Sequence, residues 1–240
     1  MLITKEQLEK KLSVAEFPAY IDSLFKQVHG MDGGIEAIRL RKELVKNLVE
    51  EALPVACFVA RKYGNNPNVF IQMCVGNQNY DAVVDDQRKD PDVVKYLEVT
   101  LTTVVSASDG YEDYLLRYHL HKYGYSGTGS VKNRGSKSRG MDVELERNGV
   151  SQIEVLDHER ETVKAAISRK IKRRSHYPEN TALVISFDDT YAFDRLDNQK
   201  NLIKVLGEYS SELNENNFEI VAIVGINKGL YLERRNNIEI

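Results

Sequence analysis

Between residues 35 and 63 the apolar positions Ile38, Val45, Leu48, Ala52, Val55 and Val59 share one stripe at about 100° per residue, which predicts a helix with one buried face. Pro54 sits in that stripe without the N–H that would bond the Glu50 carbonyl, so the helix is expected to kink or divide there. Gly64-Asn65-Asn66-Pro67 ends it, and the period then changes. Residues 69–75, 79–85 and 93–103 read as strands, the last two separated by the polar segment 86–92. Ahead of the long helix, 4–30 reads as short helical pieces carrying Leu8 and Leu12, then Ile21, Leu24, Phe25 and Val28. Asp109, with Glu112 three residues on, is placed to cap a further helix that Gly124 closes. A turn at Asn148-Gly149, a helix over 159–174 and an apolar strand over 182–187 follow. An amphipathic helix with Leu202, Val205, Leu206, Tyr209 and Leu213, then a hairpin pairing 219–224 with 230–233, completes the order.

Hairpin-length connections make the first three strands antiparallel, and a helix precedes the fourth. The fold class is therefore α/β, a mixed β-sheet flanked by helices, with a short helical N-terminal segment over 1–34 and one globular domain over 35–240. A chain of 240 residues with 42% hydrophobic positions has material for a sizeable core. The formal net charge of −3 excludes a uniformly basic nucleic-acid binder, so attraction for phosphate has to come from a local patch. Residues 124–140 supply one: they read as a flexible Gly/Ser-rich loop carrying Lys132, Arg134, Lys137 and Arg139 with no acidic residue. Two cysteines, Cys57 and Cys74, give neither a disulfide framework nor zinc-ligand spacing and read as core packing in a reducing compartment. The longest apolar run, 52–60, contains Pro54 and is too short to cross a bilayer. A soluble, cytoplasmic protein with no membrane partner is expected, and a homodimer stays open.

Candidate chemistry concentrates between Tyr80 and Thr100. Residues two apart on a strand share a face, so Glu98 and Thr100 point the same way. If 79–85 pairs symmetrically with 94–100, Asp81 lies opposite Glu98. Two facing carboxylates repel, and a divalent cation would remove that cost; hard oxygen ligands suit Mg²⁺. Taken singly, each residue also has an ordinary role: Asp81 beside a turn, Glu98 paired with a nearby lysine, Thr100 as a good strand former.

The motif "YDAVVDD…YLEVT" on a strand pair behind a long helix resembles the PD-(D/E)XK nuclease superfamily, in a variant with Glu-Val-Thr where the family has (D/E)-x-Lys. The resemblance spans roughly residues 35–190 by element order and implies a restriction-endonuclease-like core. It implies that Asp81 and Glu98 hold Mg²⁺ (or Mn²⁺), with Thr100 at the position of the family's catalytic lysine. A helix-borne glutamate often joins such sites, and Glu51, flanking the apolar stripe, is the matching residue. The missing lysine would come from the helix over 159–174, where Lys170 and Arg174 fall near the middle of the face set by Val163, Ala166, Ile167 and Ile171, and Lys172 points away. Near a helix C-terminus, Lys170 and Arg174 also suit the macrodipole alone. The implied function is a metal-dependent endonuclease acting on DNA or RNA, with Arg174 and the basic loop as phosphate contacts. The alternatives are an inactive nuclease-like module that binds nucleic acid or protein, and an unrelated enzyme using Asp188 and Asp189 at a strand end.

Overall fold

The computed structural model describes residues 1–102, 107–124, 129–136, 138–147, 151–172, 177–187, 189, 195–209, 211–212, 215, 217–227 and 229–235. Lys137, Arg174, Asp188, Leu213 and the turn at Asn148-Gly149 lie outside them. Seven strands form one mixed sheet in the order β1 (Leu12–Ser13), β2 (Val69–Met73), β3 (Ala82–Asp86), β4 (Tyr96–Leu101), β7 (Thr181–Phe187), β8 (Phe218–Gly225) and β9 (Tyr231–Arg235). Neighbours from β1 to β4 are antiparallel, β4, β7 and β8 are mutually parallel, and β9 returns antiparallel. The expected mixed sheet is present. Interior strand β7 is buried at every position, as its largely apolar sequence requires.

Helices cover the two faces unequally. On one side α2 (Phe17–Gly30) and α5 (Leu53–Lys62) bury Phe17, Ile21, Val55, Phe58 and Val59 against Leu97, Val99, Ala182 and Val184. On the other, α7 (Gln152–Ile171) and α8 (Arg195–Glu208) bury Val163, Ala166, Ile167, Leu202 and Val205 against Leu183, Ile185 and Ile223. Alternate residues of the same strands thus serve two cores. The N-terminal segment is helical, with α1 (Lys5–Leu8) and α2, but it is no appendage. It also supplies edge strand β1, and Ile3, Leu8, Val14 and Phe17 sit in the first core.

Four sequence expectations change. The helix that Asp109 was expected to cap runs over Ala107–Tyr123, so Asp109 lies inside its first turn and is not its cap. The long helix over 35–63 is broken into α3 (Gly34–Leu40), α4 (Glu43–Asn47), a π-helical turn (Leu48–Ala52) and α5. Arg41 at φ 56° and Glu43 at φ 47° interrupt the first part, and the wide turn, in which Leu53 N–H bonds the Leu48 carbonyl, precedes the donor-less Pro54. The helix expected over 159–174 starts at Gln152, because Ser151 and Glu154 form a reciprocal capping box. The basic stretch is not a flexible loop: β5 (Gly129–Asn133) and β6 (Val143–Arg147) form a hairpin, and Val131 and Val143 pack on Leu115 of α6 (Ala107–Tyr123).

Asp189 closes the far end of the sheet. Its carboxylate accepts backbone N–H bonds from Asn227, Gly229 and Leu230, and so holds the turn between β8 and β9. A Cβ at Gly225 would stand 2.3 Å from Asp189 Oδ2, so only glycine admits the carboxylate there. Asp189→Ala is expected to lower stability by about 2 kcal/mol, the scale of lost hydrogen bonds to a charged group. Gly225→Ala displaces the same carboxylate, so the double variant should cost clearly less than the sum in chemical denaturation; additive losses would mean that Asp189 does not hold the turn.

Candidate active site

β3 and β4 pair only through Ala82↔Leu97 and Val83↔Tyr96, and then diverge. Asp81 is one residue beyond that ladder, opposite Glu98 by register. Its N–H bonds the Leu97 carbonyl at 2.7 Å, and its Oδ2 accepts the Val99 N–H at 2.7 Å. A side chain thus satisfies the strand amide that the departing β3 leaves behind.

Glu98 is 8% exposed and points toward α7, where the Lys170 ammonium pairs with its Oε1. The same ammonium lies 6.0 Å from the centre of the Tyr177 ring. Arg169, next to it, donates to the Leu101 carbonyl at 3.0 Å and ties α7 to the end of β4. Glu51 comes from the π-helical turn, and both its oxygens accept from Asn47 Nδ2, at 3.0 and 2.9 Å. Neighbouring Glu50 faces the other way, toward Arg117 at 3.2 Å and Arg41 at 3.4 Å. Thr100 is buried two residues along from Glu98 on the same face.

Electrostatics bind these groups into one site. Asp81 is pushed up to about 8, first by burial, then by the charges of Glu98 and Glu51; the Val99 N–H and Lys170 oppose the rise. Glu51 is also raised, chiefly by burial, with the Asn47 bond opposing and Glu98 contributing. Carboxyl groups that share a poorly solvated space and raise one another's proton affinity are a frequent mark of functional sites.

The sequence-derived residues Asp81, Glu98, Glu51 and Lys170 therefore meet through these bonds and fields, and Thr100 borders them. Asn47 was not anticipated, although its i, i+4 spacing to Glu51 is a sequence signal. Neither was the contact between the rings of Tyr80 and Tyr96, whose centroids lie 4.7 Å apart. The basic residues do not stand as a free cationic patch. Arg134 pairs with Glu144 at 2.8 Å and Lys132 with Glu146 at 3.6 Å, because cross-strand β6 supplies acids that the stretch 124–140 lacks. Arg139 Nε contacts Ser136 Oγ.

Among the described residues, no group of three or more His, Cys, Asp or Glu side chains is gathered tightly enough to cage a metal ion. Asp81 Oδ1 and Glu98 Oε2 have no protein hydrogen bond among the described residues. Two carboxylates and water suit Mg²⁺, which seldom takes an all-protein cage. No helix of the described residues is long and apolar enough to cross a membrane. Comparison with protein-family models, curated proteins and solved structures finds no match.

Burial of Asp81 fixes a pH dependence for the metal-free protein. Its folded-state value of about 8 lies above the ordinary 3.8, so across that window the native state holds the proton more tightly than the unfolded chain. Stability must then fall as pH rises from 3.8 toward about 8, and level off above it. Asp81→Asn, which cannot ionise, should flatten that fall and exceed wild type near the alkaline end. Thermal melts in EDTA across the window check this; an unchanged slope in the variant would assign the effect to another group.

Proposed function

We propose that the protein is a Mg²⁺-dependent phosphodiesterase acting on nucleic acid, of the PD-(D/E)XK type. The observation that carries this reading is the Lys170–Glu98 contact: a lysine from α7 enters the carboxylate site where strand position 100 has threonine. Asp81 and Glu98 are the residues to hold the ion, with Glu51 behind them. When bound, the ion supplies a lowered pKa for water and neutralises charge on the scissile phosphate.

The chain's own groups do the rest. The Val99 N–H fixes Asp81 so that Oδ1 stays available, and Asn47 fixes Glu51. Lys170 places a positive charge beside Glu98, where it can orient the attacking water and stabilise charge developing on the phosphate. Tyr80, next to Asp81 in sequence, and Tyr96, two residues before Glu98, are half-buried rings in contact, and among the described residues neither hydroxyl has a protein partner. Such rings suit contact with bases near a scissile bond. Paired charges on the β5–β6 hairpin leave it a smaller share of phosphate attraction than its sequence promises.

The test is incubation with single- and double-stranded DNA and RNA in Mg²⁺, Mn²⁺ or EDTA. Cleavage should require the divalent ion. Lys170→Ala should cut slower by on the order of 10² or more while Mg²⁺ still raises the melting temperature, and Lys172→Ala should be near wild type. Asp81→Ala and Glu98→Ala should lose both cleavage and the Mg²⁺-induced stabilisation, about 2.7 kcal/mol at a hundredfold excess over Kd. A wild type that binds nucleic acid but cleaves none under any metal would replace the enzyme with a binding module on the same scaffold.

A further inference from the structure

The three parallel strands end at a cavity that the carboxylate site does not use. It measures about 830 Å³ and lies between α2, the π-helical turn and α5 on one side and the carboxyl ends of β4, β7 and β8 on the other. In open α/β sheets the crevice at those ends is where ligands bind. The volume falls within the range of small-molecule sites.

Most of the wall is apolar, with Phe25, Leu53, Ala56 and Val224 among its residues. Two buried hydroxyl residues break it: Thr102 is 7% exposed and Ser186 4%. The Thr102 N–H bonds the Ser186 carbonyl at 3.1 Å and so joins the ends of β4 and β7 at the cavity wall, which both residues line. Among the described residues neither hydroxyl has a hydrogen-bond partner. Buried hydroxyls beside apolar side chains are costly unless something in the cavity bonds them.

Formal charge selects among ligands. Arg41 and Arg61 line the cavity together with Asp22 and Glu50, two cations against two carboxylates, and Arg41 is already engaged by Glu50. Nothing in that balance favours a net anion or cation, while desolvating one would be expensive. We infer that this cavity is a binding site for a neutral, largely apolar small molecule whose polar end bonds Thr102 and Ser186. The site is separate from the proposed nuclease centre: Glu50 and Leu101 face the cavity, whereas Glu51 and Glu98 meet Asp81 and Lys170.

Fluorescence titration with N-phenyl-1-naphthylamine, a neutral apolar probe with one N–H, tests the inference on the whole chain. Saturable one-to-one binding is expected, with 8-anilinonaphthalene-1-sulfonate, the same ring system made anionic, binding far more weakly. Cys57 lines the cavity and reports occupancy independently. In a Cys74→Ser background its alkylation by N-ethylmaleimide should slow about tenfold at a probe concentration about ten times Kd. Thr102→Val with Ser186→Ala should weaken the probe by roughly fivefold, one neutral hydrogen bond's worth. Ala56→Phe should abolish binding, and Ala60→Trp, at the exposed rim, serves if that variant does not fold. Unsaturable binding, equal affinity for the sulfonate, unprotected Cys57 or unchanged affinity in the filled variant would each overturn the site, and none depends on nuclease activity.

Discussion

Asp81, Glu98 and Glu51 share a space from which water is largely excluded, and the Lys170 ammonium is the cation bonded within it. Negative charge there is under-compensated in the protein alone, so the metal-free chain settles the conflict by keeping a proton on Asp81 well into the neutral range. A packed domain has little reason to retain such an arrangement for stability, since replacing buried charges with apolar groups is often neutral or favourable. The cost makes sense if a cation or a transition state completes the balance.

The constraint is created by backbone geometry. β3 leaves β4 after two paired positions, which opens one edge of β4 at the level of Glu98. Asp81 fills part of the gap by capping the Val99 N–H, and the π-helical turn brings Glu51 to the same place from the opposite side of the sheet. That turn inserts an extra residue per hydrogen-bonded ring, which separates Glu50 and Glu51 toward different partners. The Glu50 side then belongs to an ion network with Arg41 and Arg117 that links the turn to α6. One irregular turn therefore sets both the position of Glu51 and the wall of the neighbouring cavity.

The antiparallel pairing of β3 with β4 and the register that sets Asp81 opposite Glu98 were readable because alternation and hairpin lengths leave few registers, and one residue of slip would turn Glu98 to the α5 core. Lys170 was readable from helical period, since Val163, Ala166 and Ile167 define the face on which it lies. What the pattern concealed were features made by tertiary partners. The apolar stripe over 35–63 carries no sign of the left-handed residues Arg41 and Glu43, neither of them glycine or asparagine. The cations of the β5–β6 hairpin looked unpaired because their acids, Glu144 and Glu146, lie a strand away in sequence. Asp189 could be read as capping the turn that follows its strand, but the turn it holds lies about forty residues later, across β8.

Delivering the lysine from a helix instead of a strand changes what the site depends on. A lysine at position 100 would be placed by the β4 ladder itself; Lys170 is placed by the docking of α7 on β7 through Val163, Ala166 and Ile167, and by the Arg169 bond to the Leu101 carbonyl. Its ammonium must also choose between Glu98 and whatever anion arrives, because one point charge on a flexible stem serves several acceptors. Thr100 is buried two residues along β4 from Glu98. The site thus couples its cation to the seating of an entire helix, so that small shifts of α7 act directly on the balance of charge around Asp81.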